Sequence, residues 1–264
     1  MASDRDLHDL ALDIAREAGA LALRRRTEGV AIAATKSALA DIVTEADREV
    51  EALLRARLAA EAPRDGFLGE ETGAEVGESG LTWVVDPIDG TVNYAYGMPQ
   101  YAVSIAVVAG DPDPDRWEAV AAAVYAPAVD EMFHAVRQEG AYLDGARLRV
   151  AELTDAGGLI ATGFGYDPST HVGDLAAVGR VLPLARDLRR AGAASLDLSY
   201  VAAGRLDGYF ERGLQPWDHA AGALIVREAG GRFGRGDSDA AGRVLNVAAA
   251  PELYDRLFAA ALQP

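Results

Sequence analysis

The sequence predicts an α/β (α+β) protein with sheets layered between helices. Three observations predict this class: an amphipathic helical pattern at the N-terminus, strand-length apolar runs from residue 66 to 150, and alternating strand and helix signals after Gly157. Half of the 264 residues are hydrophobic and a quarter are charged, which supplies ample core material. The expectation is one domain over 1–264, with a strand-rich half, 1–150, and a βα half, 151–264.

Leu7, Leu10, Ile14, Ala18 and Leu21 share one face of a first helix, and Arg24 to Arg26 suit its C-terminal end, where carbonyl groups point outward. Thr44 caps a second helix, with Val50, Leu53, Leu54 and Leu58 at helical spacing and Pro63 as its stop. GFLGEE, LTWVVD, YAVSIAVVAG, WEAVAAAVYAP and EMFHAV read as strands, and GAYLDGARLRV as a hairpin. Then come GLIATGF, a helix over 175–182, RDLRRAG, a helix over 196–203, the strand LDGYFE, a helix beginning near Trp217 and a last helix over 251–262. GRGDSDAAG, residues 234–242, reads as an exposed loop. LTWVVD is expected inside a sheet.

Composition removes several functions. With no cysteine there is no disulfide, zinc–thiolate site, iron–sulfur cluster or cysteine nucleophile, so any metal is held by oxygen or histidine. No apolar run reaches the roughly 18 residues of a membrane span, and MASDRDLHDL lacks the basic-then-apolar pattern of a signal peptide, so a cytoplasmic protein is expected. A formal charge of −16, from 41 acidic and 25 basic residues, disfavours nonspecific nucleic-acid binding. The four histidines, His8, His134, His171 and His219, show no metal-ligand spacing, and His219 is expected to be structural. GxSxG, GxGxxG and P-loop patterns are missing.

The carboxylates that stand out are in VVDPIDGTVNY, where Asp86 and Asp89 flank Pro87 and Ile88 just before Gly90. A surface turn would account for these letters alone. DPDPDRW, 111–117, holds more acid and is read as a solvated turn without a partner cluster. Glu70 and Glu71 end GFLGEE, and Asp218 begins an apolar helix, where it could simply be an N-cap. Mg²⁺ takes oxygen ligands from a few carboxylates, so converging strand ends and a helix start would suit it. Pro87 is expected to force a turn after it, so that Asp86, the Ile88 carbonyl and Asp89 face one point.

GEE, WVVDPIDGTVNY and PWDHAAGALIVREAGG, in this order, resemble the signature segments of the inositol monophosphatase family, over nearly the whole chain. The resemblance implies a layered αβαβα sandwich and a magnesium-dependent, lithium-sensitive phosphatase of sugar and polyol phosphates, with two to three Mg²⁺ ions. It implies that Glu70, Asp86 and the Ile88 carbonyl hold one ion and that Asp86, Asp89 and Asp218 hold a second. Glu70 would help a third and accept a proton, while Glu71 stands further back. Thr91 and Asp47 would orient and deprotonate the attacking water, although Asp47 alone reads as a first-turn helix acid. The amide groups of Gly90 and Thr91 would take phosphate oxygens, and Lys36, the only lysine, lies near the site.

On the substrate side the resemblance implies that Glu211 accepts hydrogen bonds from polyol hydroxyls, with Ala194 in the turn beside the ring and Asp89, Gly90, Thr91 and Asp218 also touching substrate. Ala193, Tyr94 and Tyr96 depart from the family's usual residues, which weakens any choice of alcohol. The expected partner is a small phosphorylated polyol, myo-inositol monophosphate first, with no membrane or nucleic acid and with homodimerisation. Histidinol phosphate, fructose 1,6-bisphosphate and 3′-phosphoadenosine 5′-phosphate are rival substrates, and a regulatory protein- or RNA-binding role on the same fold is the rival of another class.

Overall fold

The structure is a computed structural model that describes residues 2–30, 32–35, 42–152 and 157–262; Lys36 lies outside them. Helix α1 (Asp4–Glu28) is followed by β1 (Ile32–Thr35), β2 (Ile42–Thr44) and α2 (Glu45–Glu61). Then come β3 (Gly66–Gly69), β4 (Gly73–Glu75), β5 (Leu81–Asp89), a one-turn helix α3 (Thr91–Ala95), β6 (Ala102–Ala109), β7 (Glu118–Ala126), β8 (Glu131–Val136), β9 (Gly140–Leu143) and β10 (Ala146–Arg147). The second half runs β11 (Gly158–Thr162), α4 (His171–Val181), β12 (Ala185–Arg189), α5 (Ala194–Ala202), β13 (Gly208–Arg212), α6 (Pro216–Glu228), β14 (Arg232–Ser238), β15 (Val244–Ala249) and α7 (Pro251–Leu262).

Two large sheets result, one of eight strands ordered β10-β9-β8-β7-β6-β5-β3-β4 and one of five ordered β12-β11-β13-β15-β14. Alternation along the strands sorts side chains into layers. Trp83, Val85, Ile105 and Val107 join Ile14, Ala18, Val50 and Leu54 of α1 and α2, while Val84, Ala106 and Val108 face Leu198 of α5 and Leu224 of α6. The far side of α5 and α6 meets Ala161, Tyr209 and Ala248 of the smaller sheet. Its other face packs Ile160, Phe210 and Val247 on Val181 of α4 and Leu253 and Leu257 of α7. The order of layers is therefore αβαβα. Among the described residues no helix is long and apolar enough to cross a membrane.

The central helix layer is tightly packed. At Gly222 of α6 an added Cβ would stand 2.5 Å from the Cβ of Leu198. Overpacking of about 1–3 kcal/mol should outweigh the roughly 1 kcal/mol helix-propensity gain of alanine. Gly222→Ala is therefore expected to lower the urea midpoint without changing the denaturant slope.

The structure corrects one local reading. Residues 234–238, read as loop, belong to β14, which pairs antiparallel with β15. As an edge strand it is half exposed and shows no apolar run, and Gly234 and Gly236 are needed there because Tyr254, Phe258 and Leu262 of α7 press on them. The DPDPDRW turn is exposed, as expected, and its Asp115 pairs with Arg235. The sequence reading also missed β1, β2, β4 and β15, together with the contact of His8 Nε2 with His134 Nδ1 at 2.9 Å.

That contact makes a pH prediction. Burial, then the neighbouring His8, lowers the His134 pKa from 6.5 to about 4. The unfolded chain binds this proton more tightly, so the contribution is intact above pH 6.5 and is lost as pH falls toward 4. His134→Phe should flatten the fall in thermal midpoint between pH 7 and pH 5. Parallel curves for the two proteins would refute this.

Candidate active site

The site forms where β5 ends. Opposite β6, Asp86 pairs with Ser104 and Asp89 with Ala102, so three steps on β5 match two on β6. This is a β-bulge, and Pro87, which has no N–H for the ladder, falls inside it. The strand thus continues through Pro87, and the expected turn occurs one residue beyond Asp89. The extra residue reverses the alternation, so that Asp86 and Asp89 line one cavity. Ile88 donates its N–H to Asp86 Oδ1 at 3.0 Å and buries its side chain.

Gly90 makes the turn with φ +88°, and an added Cβ would lie 2.7 Å from the Gln100 carbonyl oxygen. Only glycine suits both conditions. Thr91 then begins α3, and its hydroxyl lies 3.1 Å from the Ile88 carbonyl and 3.2 Å from Asp47 Oδ1. Asp47, buried on α2, accepts the Thr44 N–H at 2.8 Å with its other oxygen. Its helix-capping role and its contact with Thr91 thus coexist.

The remaining acids arrive from other elements. Glu70 follows β3 directly, in the turn to β4. Asp218 is the third residue of α6, not its N-cap; Gln215 is the cap, and its N–H donates to Asp218 Oδ2 at 2.6 Å. The Ser104 hydroxyl donates to the Trp217 carbonyl at 3.3 Å, tying the start of α6 to the strand beside Asp86. Asp89 receives the Ala194 N–H at 3.2 Å and the Ser195 N–H at 2.7 Å, with the Ser195 hydroxyl, and so caps α5 from another layer.

One cavity of about 390 Å³ is lined by Glu70, Asp86, Ile88, Asp89, Gly90, Thr91 and Asp218 together with Tyr166. It opens toward a second of about 550 Å³, which shares Asp89, Tyr166 and Asp218 and adds Ala194, Arg190 and Glu211. Glu211, on β13, accepts the Tyr209 hydroxyl at 2.5 Å and packs so closely on Gly163 that no side chain fits there. His219 turns away from both cavities and stacks on Phe233.

Crowding of acid sets the electrostatics. Burial, then the charges of Glu70, Asp89 and Asp218, pushes Asp86 well above the usual carboxylate range. Burial also raises Asp218, with Asp89 next. Asp89 is raised to about 6 by burial against the Ser195 hydrogen bonds, and Asp47 to about 6 by burial against those of Thr44. Burial raises Glu211 to about 7, opposed by Tyr209. No basic side chain lines the smaller cavity among the described residues. Among them, no group of three or more Asp, Glu or His side chains forms a ready metal shell either. The fit to hard cations therefore rests on the donor set: Asp86 Oδ2 and Asp218 Oδ1 lie beyond the oxygens used in the hydrogen bonds above, and all the donors are oxygens.

Sequence reasoning missed three residues of this arrangement. Glu51, whose carboxylate accepts the Glu71 and Thr72 N–H groups next to Glu70 at 2.8 Å, left a trace, because it stands on the apolar stripe of α2 between Val50 and Leu54, one turn after Asp47. Ser195 and Tyr166 left none, since their importance comes from contacts with distant segments.

Fold and site together define a layered αβαβα protein with an acidic, oxygen-lined cavity. The chain belongs to the inositol monophosphatase family, whose family model matches residues 4–263. It is 42% identical over 276 residues to the inositol-1-monophosphatase SuhB of Mycobacterium tuberculosis, covering 96% of this chain and 92% of that protein. It is 40% identical over 226 residues to the Nus factor SuhB of Escherichia coli, covering 84% and 82%. The crystal structure of the extragenic suppressor protein suhB from Bartonella henselae matches with a TM-score of 0.87 and 34% identity, over 97% and 98% of the two chains.

Proposed function

We propose that this protein hydrolyses the phosphate monoester of a small polyol, myo-inositol monophosphate first, with Mg²⁺ as cofactor. The observation that carries the reading is the single cavity that gathers Glu70, Asp86, Ile88, Asp89 and Asp218 beside Gly90 and Thr91. Glu70, Asp86 and the Ile88 carbonyl would hold one ion; Asp86, Asp89 and Asp218 would hold a second, and Glu70 would assist a third. When bound, Mg²⁺ supplies positive charge that acidifies water and stabilises both the attacking and the departing oxygen.

The chain's own groups do the rest. The N–H groups of Gly90 and Thr91 bind phosphate oxygens at the start of α3. A water hydrogen-bonded to the Thr91 hydroxyl can pass its proton through Thr91 to Asp47 Oδ1, an acceptor whose pKa near 6 suits neutral solution. Glu70 is a second acceptor. Glu211 receives polyol hydroxyls, and Ala194 shapes the wall beside the ring. The name of the Mycobacterium tuberculosis relative supports the same substrate class.

Inorganic phosphate release from inositol monophosphate, histidinol phosphate, fructose 1,6-bisphosphate and 3′-phosphoadenosine 5′-phosphate, with and without Mg²⁺, tests the reading. Mg²⁺-dependent release, fastest with inositol monophosphate and inhibited by lithium at limiting Mg²⁺, is expected; no release from any ester would overturn it. A second, partner-binding role is favoured by the relatives named Nus factor SuhB. Light scattering at twice 27.7 kDa is expected of the proposed homodimer.

A further inference from the structure

We propose that Glu51 is a positioning residue that sets the 70–72 turn so that Glu70 enters the cavity; this rests on the reading of Glu70 as a cation ligand. Glu51 lies on α2 with its side chain fully buried, and it does not line the cavity. Its Oε2 accepts the Glu71 N–H at 2.8 Å, and its Oε1 accepts the Thr72 N–H at 2.8 Å and the Thr72 hydroxyl. One carboxylate thus binds two successive backbone amides in the three residues that join β3 to β4. Gly69 leaves the space for it, since an added Cβ would stand 2.7 Å from Glu51 Oε2.

Arg55, one helical turn on, completes the clamp. Its Nε donates to the Thr72 hydroxyl oxygen at 2.5 Å and its Nη1 to Glu75 at 2.9 Å, while the guanidinium covers the Phe67 ring at 4.1 Å. The same helix carries Asp47, bonded to Thr91 on the other wall. Helix α2 therefore sets the distance between the Glu70 and Thr91 sides of the cavity through Glu51 and Asp47, four residues apart on its buried face. An acceptor-only carboxylate suits three donors, whereas an amide at this place would bring its own N–H groups against them.

Glu51→Gln keeps the volume and breaks this match. The Mg²⁺ concentration for half-maximal activity should rise about 10- to 100-fold, as on loss of a residue that orients a metal ligand. KM for the ester at saturating Mg²⁺ should stay near wild type. Calorimetric titration with Mn²⁺ alone should show the same weakening, and hydrogen exchange at Glu71 and Thr72 should quicken while that in the middle of α2 does not. Thr72→Val, which removes one donor and keeps the packing, should shift each reading in the same direction by less, and it serves if Glu51→Gln does not fold. Wild-type Mn²⁺ affinity and exchange in whichever variants fold would overturn the proposal. If Asp86→Asn is inactive while these readings are normal, only the Glu51 role fails; if Asp86→Asn is fully active, the cation reading itself fails.

Discussion

Asp86→Asn should lower kcat/KM by about 10³-fold or more, because the one carboxylate assigned to two cations carries several kcal/mol of charge stabilisation in the transition state. Glu71→Gln should fall only a few-fold, since Glu71 does not line the cavity. Stability offers a second readout with the opposite sign. Burial and the surrounding acids hold Asp86 well above its ordinary pKa, so the fold loses stability against the freely ionising unfolded chain as pH rises past 3.8. The neutral asparagine relieves that repulsion and should raise the thermal midpoint in the absence of divalent cations. Added Mg²⁺ should then stabilise the wild type by mass action and the variant much less. Equal activity in Asp86→Asn and Glu71→Gln would sink the assigned geometry.

Asp218→Asn and Glu211→Gln should separate cation binding from alcohol recognition. Asp218 joins the smaller cavity to the larger and is assigned to a cation, so its loss should slow inositol monophosphate and a simple aryl phosphate alike. Glu211 lines only the larger cavity. Its replacement by glutamine removes a charge-assisted acceptor of about 1.5–3 kcal/mol, roughly 10- to 100-fold in kcat/KM for the polyol ester, and should leave the aryl ester nearly unchanged. The pKa of about 7 adds a pH signature. Glu211 becomes the charged acceptor as pH rises through 7, so preference for the polyol ester should grow between pH 6 and pH 8 in the wild type and stay flat in Glu211→Gln. Measured kcat/KM ratios for the two esters check both points. Equal losses on both esters in Glu211→Gln would make the residue structural and remove the main support for a polyol.

What could be read from the chain follows the range of the forces involved. Helix α7 matches its expected 251–262 span because proline at its start and apolar spacing along it are local signals. Helix α2 likewise follows from Thr44 and its apolar stripe. Edge strand β14 stayed hidden, because an exposed strand has neither an apolar run nor strict alternation, and its glycines answer to α7 rather than to their neighbours.

The site divides in the same way. By itself the sequence determined that Asp86, Ile88, Asp89, Gly90 and Thr91 share one short stretch, where a proline, two acids and a glycine within five positions constrain one another through a few covalent bonds, and it marked Glu70 and Asp218 as the ends of apolar elements. Only the tertiary structure decided that the strand passes through Pro87 as a bulge, that Asp89 caps α5 at Ala194 and Ser195, and that Glu51 and Asp47 of α2 brace the opposite walls. These contacts join residues from about 20 to more than 100 positions apart. No spacing in the chain encodes such a distance, because layer packing alone decides which buried donor each of these carboxylates meets.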